Sequence, residues 1–158
     1  MLTLPLIPSG EIDTRDIARS PISAAAPARK TGPTVLLVDD DSSVRNSVCR
    51  ALTAEGLQVV TGRGVKDALD YLFRNTPDLV ITDLWMALHS GWDLIMLLRD
   101  RYPALPVFVI TALPAQSAFG ADQAATAFFQ KPIDLDALLA AIRRELDWSR
   151  PSQRSSLV

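Results

Sequence analysis

"TVLLVDDDSSVRNSVCRALTAEG", residues 34–56, changes texture twice within 23 residues. Thr34–Val38 is an apolar, β-branched run without polar alternation, the pattern of a strand buried on both faces, as in a parallel sheet. Three acids follow, and then Val44, Val48 and Leu52 recur at i, i+4 and i+8 on a helix that Ser42 can cap and Gly56 closes. One strand–helix unit is thus legible, and the same texture continues beyond it. "LQVV" (57–60), "LVIT" (79–82), "VFVIT" (107–111) and "AFF" (127–129) are further short apolar runs. Between them lie helical patterns: Ala68, Leu69, Leu72 and Phe73; then Leu94, Ile95 and Leu98 after Gly91; and finally Leu135, Leu138, Leu139, Ile142 and Leu146. The stretch between Thr111 and Ala127 is expected to hold one more helix, short or irregular because of Pro114 and Gly120. Strands and helices in strict alternation predict an α/β fold: a doubly wound, five-stranded parallel sheet covered on both faces by five helices.

Composition agrees with one such domain. The chain has 158 residues, a formal charge of −2 and 48% hydrophobic residues, enough for a single ordinary core. No run reaches the roughly 20 apolar residues of a membrane span, and "MLTLPLIPSG" lacks the basic start of a secretion signal. The single Cys49 and single His89 exclude an internal disulfide and a Cys/His metal cluster, which points to a cytoplasmic protein. Residues 1–33, with five prolines and "SAAAPARKTGP", read as a disordered leader or linker, 34–148 as the folded domain and 149–158 as a flexible tail. The domain carries ten Lys/Arg against fifteen Asp/Glu, so direct binding of nucleic acid is not expected.

In an open parallel sheet the functional site lies beyond the carboxyl ends of the strands, where the strand order reverses. The first strand runs into Asp39, Asp40 and Asp41, the third ends in Asp83, the fourth in Thr111, and the fifth is followed by Lys131 and Pro132. Carboxylates at close quarters repel one another unless a cation neutralises them. A hard divalent ion with oxygen ligands, Mg2+ above all, suits the set.

With "LLVDDD" (36–41), "ITDLWM" (81–86) before Ser90-Gly91, "VITA" (109–112) and "FFQKP" (128–132) in this order, the chain resembles the receiver domain of two-component response regulators over about Thr34 to Arg150. The resemblance implies a flavodoxin-like receiver fold, with Asp83 as the phosphoacceptor taking a phosphoryl group from a histidine kinase or phosphotransfer protein. It implies that Asp39, Asp40, Asp83 and the backbone carbonyl of Trp85 hold Mg2+, that Thr111 and Lys131 hold the phosphoryl oxygens, and that Thr111 and Phe128 form the switch. It also implies a cis Lys131–Pro132 bond, and a place for Trp85 and Leu113 beside the path of attacking water, where both would screen the phosphoryl group.

Plainer readings stand beside these. Asp39–Asp41 could be a solvated turn and helix cap, Asp41 above all; Thr111 a plain strand residue; Phe128 ordinary core; His89 an exposed loop residue; and Cys49 a small core residue. The chain also departs from the resemblance. Ala87 stands where many family members have proline, Ala124 where a glycine is usual, and the interval from Thr111 to Lys131 is about two residues short, so the helix there is expected to be short or irregular. The expected function is a stand-alone phosphoacceptor switch or phosphorelay carrier, not a conventional enzyme, that signals to an unknown downstream protein. The alternative is a receiver-like docking module that acts without phosphorylation. A small-molecule enzyme would need a nucleophile elbow or a phosphate-cradling glycine loop, and the sequence has neither.

Overall fold

The computed structural model describes residues 32–88, 90–114 and 124–150. Strands β1 (Thr34–Val38), β2 (Gln58–Gly62), β3 (Leu79–Asp83), β4 (Val107–Thr111) and β5 (Ala127–Gln130) form one parallel sheet in the order β2-β1-β3-β4-β5. Helices α1 (Ser42–Ala54), α2 (Val65–Leu72), α3 (Gly91–Arg101) and α4 (Leu135–Glu145) pack on it. The helix expected between Thr111 and Ala127 falls largely on residues 115–123, which lie outside the described residues, as do His89, most of the leader and most of the tail. Among the described residues no helix is long and apolar enough to cross a membrane.

All five residues of β1, β3 and β4 are buried, as their unbroken apolar runs require of strands covered on both faces. The outer strands β2 and β5 are partly exposed. Alternate side chains point to opposite faces, so each strand feeds two cores. Leu36, Val38, Val80, Val107 and Val109 meet Ala68, Leu72, Leu94, Ile95 and Leu98 of α2 and α3. Val35, Leu37, Ile81, Phe108 and Ile110 meet Val48, Leu52, Leu138 and Ile142 of α1 and α4. Crossovers of one hand explain that division: β2 lies on one side of β1 and β3 on the other, so the direction of winding reverses and α2 falls on the face opposite α1.

Helix ends show where local chemistry departs from the sequence pattern. The cap of α1 is Asp41 rather than Ser42; its backbone is extended and its carboxylate accepts from the N–H groups of Ser43 and Val44, while Ser42 is already helical. Gly56 closes the same helix at φ 93°, a left-handed conformation that favours glycine. In α2 only Ala68 and Leu72 of the expected apolar face are buried; Leu69 is 36% and Phe73 87% exposed. Leu69 sits about 100° round the helix from Ala68, and Phe73 follows the last helical residue.

The junction of β3 and α3 is tight. Ser90 caps α3 by accepting from Trp92 N–H, and Gly91 N–H donates to Leu84 O at 3.0 Å. A Cβ on Gly91 would collide with the backbone carbonyl of Asp83 and crowd Leu84. Gly91→Ala is therefore expected to cost roughly 1–3 kcal/mol through overpacking. The measurement is a urea denaturation in which the midpoint falls while the slope stays constant; a midpoint equal to wild type would mean that α3 can shift freely away from β3.

Candidate functional site

Asp39 and Asp40 follow β1 and Asp83 ends β3, with Val38 paired to Thr82 just before them, so the reversal of strand order brings these acids side by side. One carboxylate oxygen from each of the three lies within 4.8 Å of the others. Asp39 and Asp83 are buried at 0% and 5% exposure, and Asp40 is exposed. Lys131, just past β5, reaches back over the end of β4 and places Nζ 2.9 Å from Asp83 Oδ2 and 3.0 Å from Asp39 Oδ2. Its backbone N–H donates to Thr111 O at 2.8 Å, and the Lys131–Pro132 peptide is cis, as expected.

The remaining oxygens have separate tasks. Asp39 Oδ1 accepts from Asp41 N–H at 2.9 Å, which leaves Oδ2 buried with only the ionic contact to Lys131 and without a directional hydrogen bond. Asp83 Oδ1 accepts from Trp85 N–H at 3.1 Å, and Asp40 Oδ2 accepts from Ala87 N–H at 2.9 Å. Arg45 on α1 donates to Asp39 O at 2.7 Å and holds the strand end against the helix. A buried carboxylate oxygen without a hydrogen bond, beside two further acids, is the chemistry of a hard-cation site, so this donor set fits Mg2+.

Thr111 is 2% exposed, and its Oγ1 accepts from Leu113 N–H at 3.1 Å; among the described residues its hydroxyl hydrogen has no acceptor. Phe128 pairs with Val109 across β4 and β5, half-buried against the core beneath α2 and α3. The Trp85 indole expected to screen the acid is 66% exposed, and what this residue supplies to Asp83 is its N–H. Two contributors carried no signal in the sequence. Ala87 acts through a backbone amide that every residue but proline owns, and Arg45 resembles any exposed helix arginine until the turn of α1 brings it over Asp39.

Burial raises the Asp39 carboxyl above its ordinary 3.8; the Asp83 charge adds to this, and the Asp41 N–H and Lys131 only partly offset it. Burial works against the Lys131 charge, yet its hydrogen bond to Asp83 and its ionic contact with Asp39 outweigh that and hold its pKa above the ordinary 10.5.

Comparisons with known proteins agree with this geometry. The family model described as the response regulator receiver domain matches residues 35–143. NtrC of Klebsiella pneumoniae, a DNA-binding transcriptional regulator, is 35% identical over 122 residues, covering 75% of this chain and 26% of its own length. The response regulator MprA of Mycobacterium sp. strain KMS is 35% identical over 121 residues, 75% of this chain and 53% of its own. The chain thus spans about a quarter to a half of these relatives. Among solved structures, the response regulator TrrA of Thermotoga maritima, in complex with Mg2+ and BeF, superposes with a TM-score of 0.67 at 25% identity, over 72% of this chain and 98% of that one.

The raised Asp39 carboxyl has a sign that can be tested. A folded pKa above the unfolded value means that ionised Asp39 destabilises the metal-free fold at neutral pH, a cost relieved as pH falls through the folded value toward 3.8. Asp39→Asn keeps the acceptor for Asp41 N–H and is expected to melt a few degrees higher than wild type at pH 7 without divalent ions. The difference between the two should close as pH approaches 3.8. A pH-independent difference, or a lower melting point at pH 7, would show that the Lys131 contact outweighs burial. For Lys131 the sign is opposite: its stabilisation is complete below pH 10.5 and lost above it.

Proposed function

The chain belongs to the response regulator receiver domain family, and on that premise we propose that it is a phosphoacceptor switch or phosphorelay carrier that acts through Asp83. The observation that carries this reading is the set of three carboxylates within 4.8 Å where the winding of the sheet reverses, with the Lys131 ammonium 2.9 Å from Asp83. A carboxylate held at a sheet edge beside fixed positive charge is suited to nucleophilic attack on phosphorus. The donor is a phosphohistidine of a histidine kinase or phosphotransfer protein. A carboxylate oxygen of Asp83 forms the new O–P bond, the N–P bond of the donor breaks, and the imidazole leaves and takes up a proton.

Each neighbour has a role set by its chemistry. Lys131 binds the phosphoryl oxygens and offsets their charge, and the hydroxyl hydrogen of Thr111 donates to another of them. Asp39, Asp40, Asp83 and the carbonyl of Trp85 hold Mg2+. When bound, that ion supplies the divalent positive charge that phosphoryl transfer requires. Thr111 and Phe128, on adjoining strands, carry the change outward, and the downstream partner is a protein that reads the altered surface.

The test is direct. Incubated with Mg2+ and a small acyl phosphate, the protein is expected to take up one acid-stable, base-labile phosphoryl group. Asp83→Asn should take up none, and Lys131→Ala should be labelled at least tenfold more slowly, since each 1.4 kcal/mol in the barrier is about tenfold in rate. A wild-type chain that stays unlabelled while binding Mg2+ would overturn the proposal in favour of docking without phosphorylation.

A further inference from the structure

The β3–α3 connection is tied to the acid rim by two alternate amides. Trp85 and Ser90 form an antiparallel bridge at the base of the loop, and the chain bends at Leu84, Ala87 and Leu88. Trp85 N–H meets Asp83 Oδ1 at 3.1 Å and Ala87 N–H meets Asp40 Oδ2 at 2.9 Å. The second bond joins residues 47 apart in sequence. Among the described residues, it is the only hydrogen bond recorded for the exposed Asp40 carboxylate, whose other oxygen remains uncommitted.

From this geometry we infer that Ala87 is a positioning residue for the cation site. Its N–H holds Asp40 in a ligating orientation through Oδ2 and leaves Oδ1 for the ion, and the ion in turn fixes the Trp85–Leu88 segment. This inference rests on the reading that Asp39, Asp40 and Asp83 hold a divalent cation. An exposed aspartate loses rotamer freedom when it becomes a ligand, and a carboxylate already pinned by an amide has lost it in advance. Linkage makes the effect reciprocal: by whatever factor the amide bond strengthens ion binding, the ion strengthens the amide bond. The loop carries Leu88, 88% exposed, and Trp85, 66% exposed, so loading the site with an ion steadies an apolar surface beside the reactive acid.

Proline at position 87 would lack the hydrogen, whereas glycine would keep it. Mg2+ affinity is measured by calorimetry on the full chain, and backbone amide exchange by nitrogen-15 NMR with and without Mg2+. Ala87→Pro is expected to weaken Mg2+ binding roughly threefold to tenfold, the worth of one hydrogen bond. Ala87→Gly should stay within about twofold of wild type. In the wild type, Mg2+ should slow exchange of the Ala87 amide by the same factor. Equal affinity for wild type and Ala87→Pro, a loss in Ala87→Gly as large as in Ala87→Pro, or an Ala87 amide indifferent to Mg2+ would each overturn the inference. Should Ala87→Pro lose its fold by circular dichroism, the wild-type exchange measurement decides alone. A wild-type chain that binds no Mg2+ would remove the cation site itself and this inference with it, an outcome distinct from ion binding without amide coupling.

Discussion

The constraint on which the site depends is the crowding of three carboxylates at the reversal of strand order, two of them buried, beside one ammonium. Two unit charges about 4 Å apart interact by about 4 kcal/mol at an effective dielectric near 20, so an uncompensated pair would strain a fold of ordinary stability. Lys131 answers this by lying between Asp83 and Asp39. It does so from the far side of β4, which is why its position matters more than its charge. The backbone bond to Thr111 fixes where the side chain starts, and the length of a lysine spans the end of the neighbouring strand. One positive charge does not balance three negative ones, and the Asp39 carboxyl, raised first by its burial and further by the Asp83 charge, is not brought back to its ordinary value by Lys131. The metal-free rim is therefore a place where the fold accepts a cost in order to bind positive charge.

That cost is tolerated because the supporting elements leave little room to relax. Arg45, Asp41 N–H and the buried end of β1 hold Asp39 from three directions. Gly91 lets α3 start against the carbonyl of Asp83, at a contact no side chain could share. Asp83 itself is the last residue of a fully buried strand, so its backbone is set by pairing with Ile110 of β4 and by the pairing of Thr82, just before it, with Val38 of β1. A site of this kind is accurate because its residues sit on the ends of rigid elements, while the adaptable part is confined to the loop that follows.

Much of this was legible in the residues, and the limits have physical causes. The central strands read clearly because burial on both faces removes polar alternation, as in "TVLLV" and "VFVIT". The edge strands were harder: Thr61 and Gly62 extend β2 beyond its apolar run, and Gln130 extends β5, because backbone pairing with a neighbour continues after side-chain burial has ended. The side chains of Asp39, Asp40, Asp83 and Lys131 could be placed at one rim since parallel strands end together. The ties to Trp85 and Ala87 could not, since an amide has no residue identity. Side chains leave the β3–α3 loop in directions set by its backbone, and at Trp85 the amide meets the acid while the side chain is 66% exposed.

The count of hydrogen bonds on Asp83 determines how phosphorylation would be felt. Each of its oxygens already serves one donor: Trp85 N–H on Oδ1 and Lys131 Nζ on Oδ2. In the proposed reaction one oxygen becomes the bridge of an acyl phosphate and gives up most of its charge and acceptor strength. If that oxygen is Oδ1, the loop loses its first tie to the rim. If it is Oδ2, the ammonium follows the charge to the phosphoryl oxygens and withdraws from Asp39 Oδ2, which has no hydrogen bond to fall back on. In either case a donor present in the unmodified chain must find an acceptor farther from the sheet by the length of the new bond. The packed interior around Phe108 and Ile110 does not deform continuously. The displacement therefore passes to the groups with least to hold them, which are the exposed Trp85–Leu88 segment and the hydroxyl of Thr111.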